Sequence, residues 1–267
     1  MHSEDGTAHV EDAELHVRRL GDGPPLLMIS GGTGAADSYR VLAQRLAEEY
    51  TVLLYDRRGH FGSKDGGAGP IRVEQHAEDA HAVVRHFGFG KALVFGSSAG
   101  AQIGLALAAQ HPETVEGLVA HEPPAVRLLP DAEEWQEFAA EQVGHAEAGD
   151  VLTAFTGFIG SIAGAGLPTI GAIKLPHEEE WRTLFSRELK AIYDYLPDVE
   201  TLRRSLVPIV LAAGEGSRGY YHYRPARMLA LELGLPFVEL PGAHLAPQRN
   251  AAAFAEALSG LLTELVL

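Results

Sequence analysis

The segment KALVFGSSAGAQIGLALAAQH, residues 91–111, carries the strongest structural signal in the sequence. It opens with a short apolar run, typical of a buried strand, and residues 99–111 carry the apolar spacing of a helix. Between them lies Gly96-Ser97-Ser98-Ala99-Gly100, a Gly-x-Ser-x-Gly pattern that is typical of a sharp strand-to-helix turn. The glycines allow close backbone packing, and the helix N-terminus offers free N–H groups to an oxyanion. We therefore predict that Ser98, rather than its neighbour Ser97, is a nucleophile exposed above the sheet.

Strand and helix patterns of the same kind lie on both sides of this segment. Apolar runs occupy residues 24–30, 51–56, 115–121, 208–214 and 237–242, and helical spacing occurs at 38–50, 72–87, 224–233 and 248–265. Continuous apolar strands that alternate with helices indicate a parallel sheet covered on both faces. Residues 8–10 and 14–20 predict an antiparallel hairpin at the sheet edge. The sequence thus predicts an α/β fold with a mostly parallel, twisted sheet.

The alternation stops after residue 123, and only helical patterns follow, at 133–148, 151–163 and 178–196. An insertion of this length in a compact domain is usually functional, for example as a lid over a site. We predict a core formed by residues 1–123 and 207–267, with a helical cap inserted at 124–206. The Gly-rich stretch 160–171 within this cap is predicted to be mobile.

Composition narrows the possible functions. The 267 residues carry a formal net charge of −15 and no cysteine. Without cysteine there is no disulfide, thiolate nucleophile or Cys-ligated metal. An acidic chain is poorly suited to nucleic acid or to an anionic membrane, because both are bound through Lys and Arg. The N-terminal residues 1–14 lack the basic start and apolar run of a signal peptide. We expect a cytoplasmic protein that acts on a small molecule. The sequence does not decide between a monomer and a homodimer.

A nucleophilic serine needs a base and an oxyanion hole. His244 stands in the loop after the final strand, where the chain order Ser, acid, His of this type of site requires the base. The oxyanion hole is expected from the N–H of Ala99 and from the loop after the third strand, with Gly32 as the favoured donor and Gly31 as the runner-up. No His-Glu-x-x-His pattern occurs, so neither a metal nor another cofactor is expected.

One rival interpretation concerns the same glycine loop. Gly32-x-Gly34 follows a strand, and Asp56 ends the next strand about 20 residues further on, as in a dinucleotide-binding fingerprint. Asp37 occupies the place of the third glycine, so the match is incomplete. We therefore disfavour a nucleotide cofactor.

Taken together, these motifs resemble the α/β-hydrolase superfamily. The matching pieces are the loop 30–34, the segment YDRRGHFGS at 55–63, the turn 96–100, the pair His111-Pro112 and His244. The resemblance implies a twisted, mostly parallel sheet with an inserted helical cap, and hydrolytic activity without a cofactor. Ser30 replaces the histidine that usually opens the first loop. A serine nucleophile argues against haloalkane dehalogenases and epoxide hydrolases, which use Asp at this position.

The expected acid departs from the common family pattern. Most members carry Asp after the penultimate strand, where this chain has Ser217 in the segment 214–217. In contrast, the chain is similar to zearalenone lactonases in three places: the His-Glu-Pro-Pro segment at 121–124, the Ser-Ser-x-Gly turn and the Pro-Gly-x-His ending. In those lactonases the acid is the Glu of the first segment, so the resemblance implies that Glu122 is the acid. A carboxylate beside the nucleophile strand can also reach His Nδ1. Glu215 is the alternative.

These residues predict acyl transfer on a carboxylic ester or lactone of small to medium, apolar character. Gly31, Trp135, Phe158 and Trp181 are weaker candidates for substrate binding, and Arg57, His60 and Arg218 are candidates for a polar substrate group. Two other classes stay open because the fold does not decide between them. One is carbon–carbon bond hydrolysis or a perhydrolase reaction on the same triad; the other is a ligand-binding protein with a vestigial triad.

Overall fold

The order of the strands in the sheet brings the ends of distant chain segments together. The computed structural model describes residues 3–163, 175 and 177–266. In this part of the chain the strands are β1 Ser3–Val10, β2 Ala13–Leu20, β3 Pro25–Ile29, β4 Thr51–Tyr55, β5 Lys64–Asp65, β6 Ala92–Ser97, β7 Val115–His121, β8 Ile209–Gly214 and β9 Phe237–Leu240. They form one sheet in the order β1-β2-β4-β3-β6-β7-β8-β9, with β5 paired to β2. From β4 to β9 the pairs are parallel, and β1 and β2 form an antiparallel edge.

Helices cover both faces of this sheet. They are α1 Arg40–Leu46, α2 Val73–His86, α3 Ala99–Gln110, α4 Ala132–Glu147, α5 Val151–Ala163, α6 Glu178–Thr183, α7 Leu189–Asp194, α8 Val199–Arg204, α9 Tyr223–Leu233, α10 Ala246–Arg249 and α11 Ala251–Glu264. Side chains of α2, α3 and α9 share one apolar core, and those of α1 and α11 share the other. The sheet is therefore the middle of three layers.

Strand β3 consists almost entirely of apolar residues because both of its faces are buried. Leu27 and Ile29 belong to one core, while Leu26 and Met28 belong to the other, as the two-residue period of a strand requires. A strand buried on both faces needs apolar residues at every position. The predicted α/β fold with a mostly parallel sheet is confirmed, and the edge hairpin is present as β1 and β2.

The predicted helical insertion corresponds to α4–α8, which lie between β7 and β8. The single helix predicted at 178–196 is in fact α6, a π-helical turn Leu184–Glu188 and α7. The predicted Gly-rich stretch lies, from residue 164 onward, outside the described residues. None of the helices in the described residues is both long and apolar enough to cross a membrane.

Candidate active site

Ser98 occupies a strained turn between β6 and α3. Its backbone has φ 59° and ψ −127°, a conformation that residues other than glycine rarely adopt. The turn needs glycine on both sides: a Cβ on Gly96 would lie 2.2 Å from Gly100 O, and one on Gly100 would lie 2.0 Å from Ile29 O. The strand-to-helix turn that the sequence predicts is therefore present, with Ser98 at its apex.

Glu122 and His244 form a buried hydrogen-bonded pair. Glu122 follows the last residue of β7, and its Oε2 accepts a hydrogen bond from His244 Nδ1 at 2.6 Å. The other oxygen, Oε1, accepts from the Gly214 N–H at 2.8 Å. Burial alone would raise the pKa of the Glu122 carboxyl, but its hydrogen bond from His244 outweighs burial and holds the pKa well below its usual range. The pair thus presents an ionised carboxylate to the imidazole.

Two further buried histidines surround this carboxylate. His222 Nε2 lies 3.5 Å from Glu122 Oε2 and 3.2 Å from Ser217 Oγ. Burial lowers the pKa of His222 to about 3 and that of His121 to about 4. Both imidazoles are therefore neutral at pH 7. The sequence analysis missed His222, because nothing in its local pattern separates it from the other histidines.

The same group of side chains offers possible metal ligands. One nitrogen or oxygen each from Glu122, His222 and His244 lies within 4.8 Å of the others, and the surface residues His81, His111 and Glu113 form a second such group. In the buried group, the atoms Glu122 Oε2 and His244 Nδ1 already share a short hydrogen bond. This arrangement suits a carboxylate that orients an imidazole.

The glycine loop after β3 lies directly against the nucleophile turn. A Cβ on Gly31 would lie 2.7 Å from Ser98 Cβ, which shows how closely the two backbones approach. Within the described residues, the N–H groups of Gly32 and Ala99 donate no hydrogen bond. Ala99 begins α3, where the first N–H groups of a helix have no acceptor inside the helix.

A cavity of about 420 Å³ opens above these residues. Ser98, His244, Gly31 and Gly32 line its floor. The apolar wall comes from the insertion, with Phe155, Phe158, Ile159, Ile162 and Trp181. Ser98 and His244 thus share one cavity, although no hydrogen bond joins Ser98 Oγ to His244 in the described part of the chain.

Several candidates from the sequence lie elsewhere. Trp135 is absent from the cavity lining: it stacks on Tyr221, with ring centroids 3.9 Å apart, because this face of α4 packs inward. Ser97 Oγ forms a hydrogen bond with His121 Nδ1 at 2.8 Å. Glu215 is exposed and makes no hydrogen bond to His244 within the described residues.

The polar candidates also have structural partners outside the cavity lining. Arg57 and His60 are buried in contacts with Glu188, and Arg218 pairs with Glu239 on the surface. The three were expected near a polar substrate group, but their sequence positions did not reveal these distant partners.

Asp56, which supported the dinucleotide interpretation, is engaged within the protein. Its carboxylate accepts the N–H of Ala36 at 2.8 Å and that of Gly62 at 3.1 Å, and it lies 3.2 Å from His16 Nδ1. The carboxylate therefore holds the loops beside β4 in place. This arrangement disfavours the ribose contact that a dinucleotide fingerprint requires.

Known proteins share both the sequence pattern and the architecture. A family model described as alpha/beta hydrolase fold matches residues 24–164. The uncharacterized hydrolase YraK of Bacillus subtilis is 34% identical over 96% of this chain and 95% of its own length. The 2-(acetamidomethylene)succinate hydrolase of Mesorhizobium japonicum is 27% identical over 86% of this chain and 84% of its own.

A solved structure extends the likeness to the whole fold. A thermophilic esterase from Thermogutta terrifontis superposes with a TM-score of 0.78 at 19% identity, covering 100% of both chains. The chain belongs to the α/β-hydrolase family. Within that family, it is an enzyme of the hydrolase class.

Proposed function

We propose that this protein is a serine hydrolase that cleaves a carboxylic ester or lactone through an acyl-enzyme. The observation that carries the proposal is the buried hydrogen bond of 2.6 Å from His244 Nδ1 to Glu122 Oε2, beside the strained turn of Ser98. A carboxylate that fixes the imidazole tautomer leaves Nε2 as a base toward the serine. Glu122, Ser98 and His244 are thereby proposed as the catalytic triad.

The reaction follows from these roles. His244 Nε2 takes the proton of Ser98 as Oγ attacks the substrate carbonyl carbon, and the resulting imidazolium is stabilised by Glu122. The tetrahedral oxyanion is bound by the N–H groups of Ala99 and Gly32. The intermediate collapses as the bond from the carbonyl carbon to the alkoxide oxygen breaks, and His244 gives its proton to that oxygen. The alcohol departs from an ester, whereas it stays attached to the acyl chain of an opened lactone. Water, deprotonated by His244, then attacks the acyl carbonyl carbon, and as the acid is released, His244 returns the proton to Ser98 Oγ.

The cavity supports an apolar substrate. Aromatic and aliphatic side chains of the insertion form its wall, so we propose that residues 124–206 act as the cap that selects the substrate. A volume of about 420 Å³ suits a small to medium ester or lactone better than a polymer. The esterase among the structural neighbours is compatible with this substrate class.

Labelling with a serine-reactive fluorophosphonate tests the proposal. Intact mass and peptide mapping should show one adduct on Ser98, absent in Ser98→Ala and retained in Ser97→Ala. An ester and lactone panel should then show turnover by the wild type and by Ser97→Ala only. A folded protein with neither an adduct nor turnover would refute the proposal, and turnover of a diketone but of no ester would indicate carbon–carbon bond hydrolysis instead.

A further inference from the structure

A buried ion pair connects the helical insertion to the glycine loop after β3. Arg57 Nη2 lies 2.6 Å from Glu188 Oε2, and both side chains are almost completely excluded from solvent, at 1% and 0% exposure. Glu188 is the last residue of the π-helical turn, whereas Arg57 follows β4 in the core. Isolated π-helical turns occur frequently at functional sites. The pair is thus a contact between two parts of the fold that are far apart in sequence.

On the core side, the Arg57 guanidinium holds the glycine loop directly. Its Nη1 donates to the Ser30 carbonyl at 2.8 Å, and its Nη2 donates to the Gly32 carbonyl at 2.7 Å. Between them, the Gly31 carbonyl accepts the Gly34 N–H at 3.0 Å. The three peptide units around Gly31 and Gly32 therefore have fixed carbonyl directions, and a planar peptide fixes its N–H in the opposite direction.

The insertion side of the pair is equally constrained. Glu188 Oε1 lies 2.9 Å from His60 Nε2 and 3.3 Å from His76 Nε2. His60 in turn lies 2.9 Å from Glu180 Oε2, on α6 of the insertion. A buried carboxylate with several donors has one defined position, and loss of either partner leaves an uncompensated charge. The position of Glu188 therefore determines where the Arg57 guanidinium can sit.

We propose that Glu188, acting through Arg57, positions the oxyanion loop against Ser98, so that the seated insertion completes the catalytic site. This inference rests on the proposed function, because it assigns the loop the role of an oxyanion hole. Arg57 and Glu188 are positioning residues, since neither lines the cavity. The expected consequence is a selective loss of transition-state stabilisation when the pair is broken, because donors must be placed accurately for an oxyanion.

The test compares two neighbouring residues of the same π-helical turn. Glu188→Gln breaks the link to the loop, whereas Arg187→Gln breaks a different link to the core, from Arg187 Nη2 to Asp65 Oδ2 at 2.6 Å. With an ester substrate, Glu188→Gln should lower kcat by about 10- to 100-fold, since small misplacements of reacting groups have effects of this size. KM should change less than kcat, and a trifluoromethyl ketone analogue should bind more weakly by a similar factor. Arg187→Gln should remain close to the wild type.

Further readouts distinguish positioning from general damage. The pH profile of kcat/KM should keep its shape in Glu188→Gln, because the triad is untouched. Amide hydrogen exchange in the loop 30–34 should accelerate in Glu188→Gln and not in Arg187→Gln. This exchange measurement needs no turnover, so it decides the coupling even if the wild type proves inactive toward esters and fluorophosphonate, which would refute only the proposed function.

A double variant covers the case in which Glu188→Gln does not fold. Arg57→Met with Glu188→Met removes both charges, a replacement that proteins often tolerate without loss of stability. It should fold, as judged by circular dichroism and Tm, and show the same loss of kcat and of loop protection. A folded variant with wild-type kcat, analogue affinity and loop exchange would overturn the inference, as would an equal effect of Arg187→Gln.

Discussion

Ser98 and Glu122 occupy equivalent places on neighbouring strands. Ser97 and His121 are paired in register on β6 and β7, and Ser98 and Glu122 are the residues that follow them. Both have a positive φ, 59° at Ser98 and 49° at Glu122. The Ser98 N–H also donates to the His121 carbonyl at 2.9 Å. Both strands are parallel and end at the same edge of the sheet, so the two side chains emerge side by side. The imidazole of His244, in the loop after β9, is hydrogen-bonded to Glu122 and lines the same cavity as Ser98.

The position of the acid leads to the first prediction. Glu122→Gln should lower kcat for an ester by about 10³- to 10⁴-fold, because an amide favours the wrong imidazole tautomer. Glu215→Gln, at an exposed position, should keep kcat within about twofold, since surface substitutions away from such features have small effects. Steady-state kinetics on both purified variants would settle the order, and the opposite order would place the acid after β8.

The two tryptophans allow a direct test of the cavity. Trp181 lines it, whereas Trp135 is stacked on Tyr221 outside it. A bound apolar ester analogue should therefore change the fluorescence of Trp181 alone. Trp135→Phe should retain the change on titration and Trp181→Phe should lose it. A signal that disappears with Trp135 instead would contradict the assignment of this cavity as the substrate site.

The close approach of the glycine loop to the nucleophile gives a steric prediction. A Cβ on Gly31 would lie 2.7 Å from Ser98 Cβ and 2.8 Å from Ser97 O, so Gly31→Ala must move the loop or the turn. We expect kcat to fall at least about 10²-fold. The control Gly144→Ala adds a Cβ with no atom within 4 Å at an exposed position of α4, and should raise stability by about 0.5–1 kcal/mol. Kinetics and thermal unfolding of the two variants provide the comparison.

Buried neutral histidines predict sensitivity to acid. The pKa of His121 is lowered by burial to about 4, so between pH 6.5 and 4 the unfolded chain binds a proton that the folded protein does not. This contribution to stability is present above pH 6.5 and is lost as the pH falls toward 4. His121→Asn should therefore show a smaller fall in the free energy of unfolding between pH 7 and 5, measured with urea.

A surface histidine provides the control for that experiment. His9→Asn, on β1 with a side chain 76% exposed, should follow the wild-type pH dependence. If His121→Asn loses as much stability as the wild type over the same interval, the buried imidazole does not account for the sensitivity to acid.

Local pattern was enough to predict much of this molecule. The strands around residue 92 and the turn at Ser98 were predictable because apolar runs and glycine spacing act over a few neighbouring residues. Glu122 was identified through resemblance to lactonases, and the structure places its carboxylate against His244. The triad assignment itself stays a proposal that kinetics can test.

Contacts across long separations were out of reach of the sequence. Arg57 and Glu188 are 131 residues apart, and neither charge has a local feature that names its partner. The position of Trp135 was out of reach for another reason: helical spacing shows that a face is apolar, but not whether it meets a cavity or, as here, the ring of Tyr221. The helix predicted at 178–196 is interrupted by the π-helical turn Leu184–Glu188, whose last residue contacts the core, and no local signal in the sequence marks this interruption.

The place where the insertion begins has an evolutionary consequence. It starts at residue 124, two positions after Glu122, so one uninterrupted strand–helix–strand unit, residues 92–122, carries both Ser98 and Glu122. Recombination that replaces the whole insertion keeps these two residues together on a single inherited segment, and only His244 must be supplied from beyond the second junction. If the insertion selects the substrate as proposed, a lineage built this way can change the compounds it accepts by exchanging this one segment, provided that each new segment carries an equivalent of Glu188.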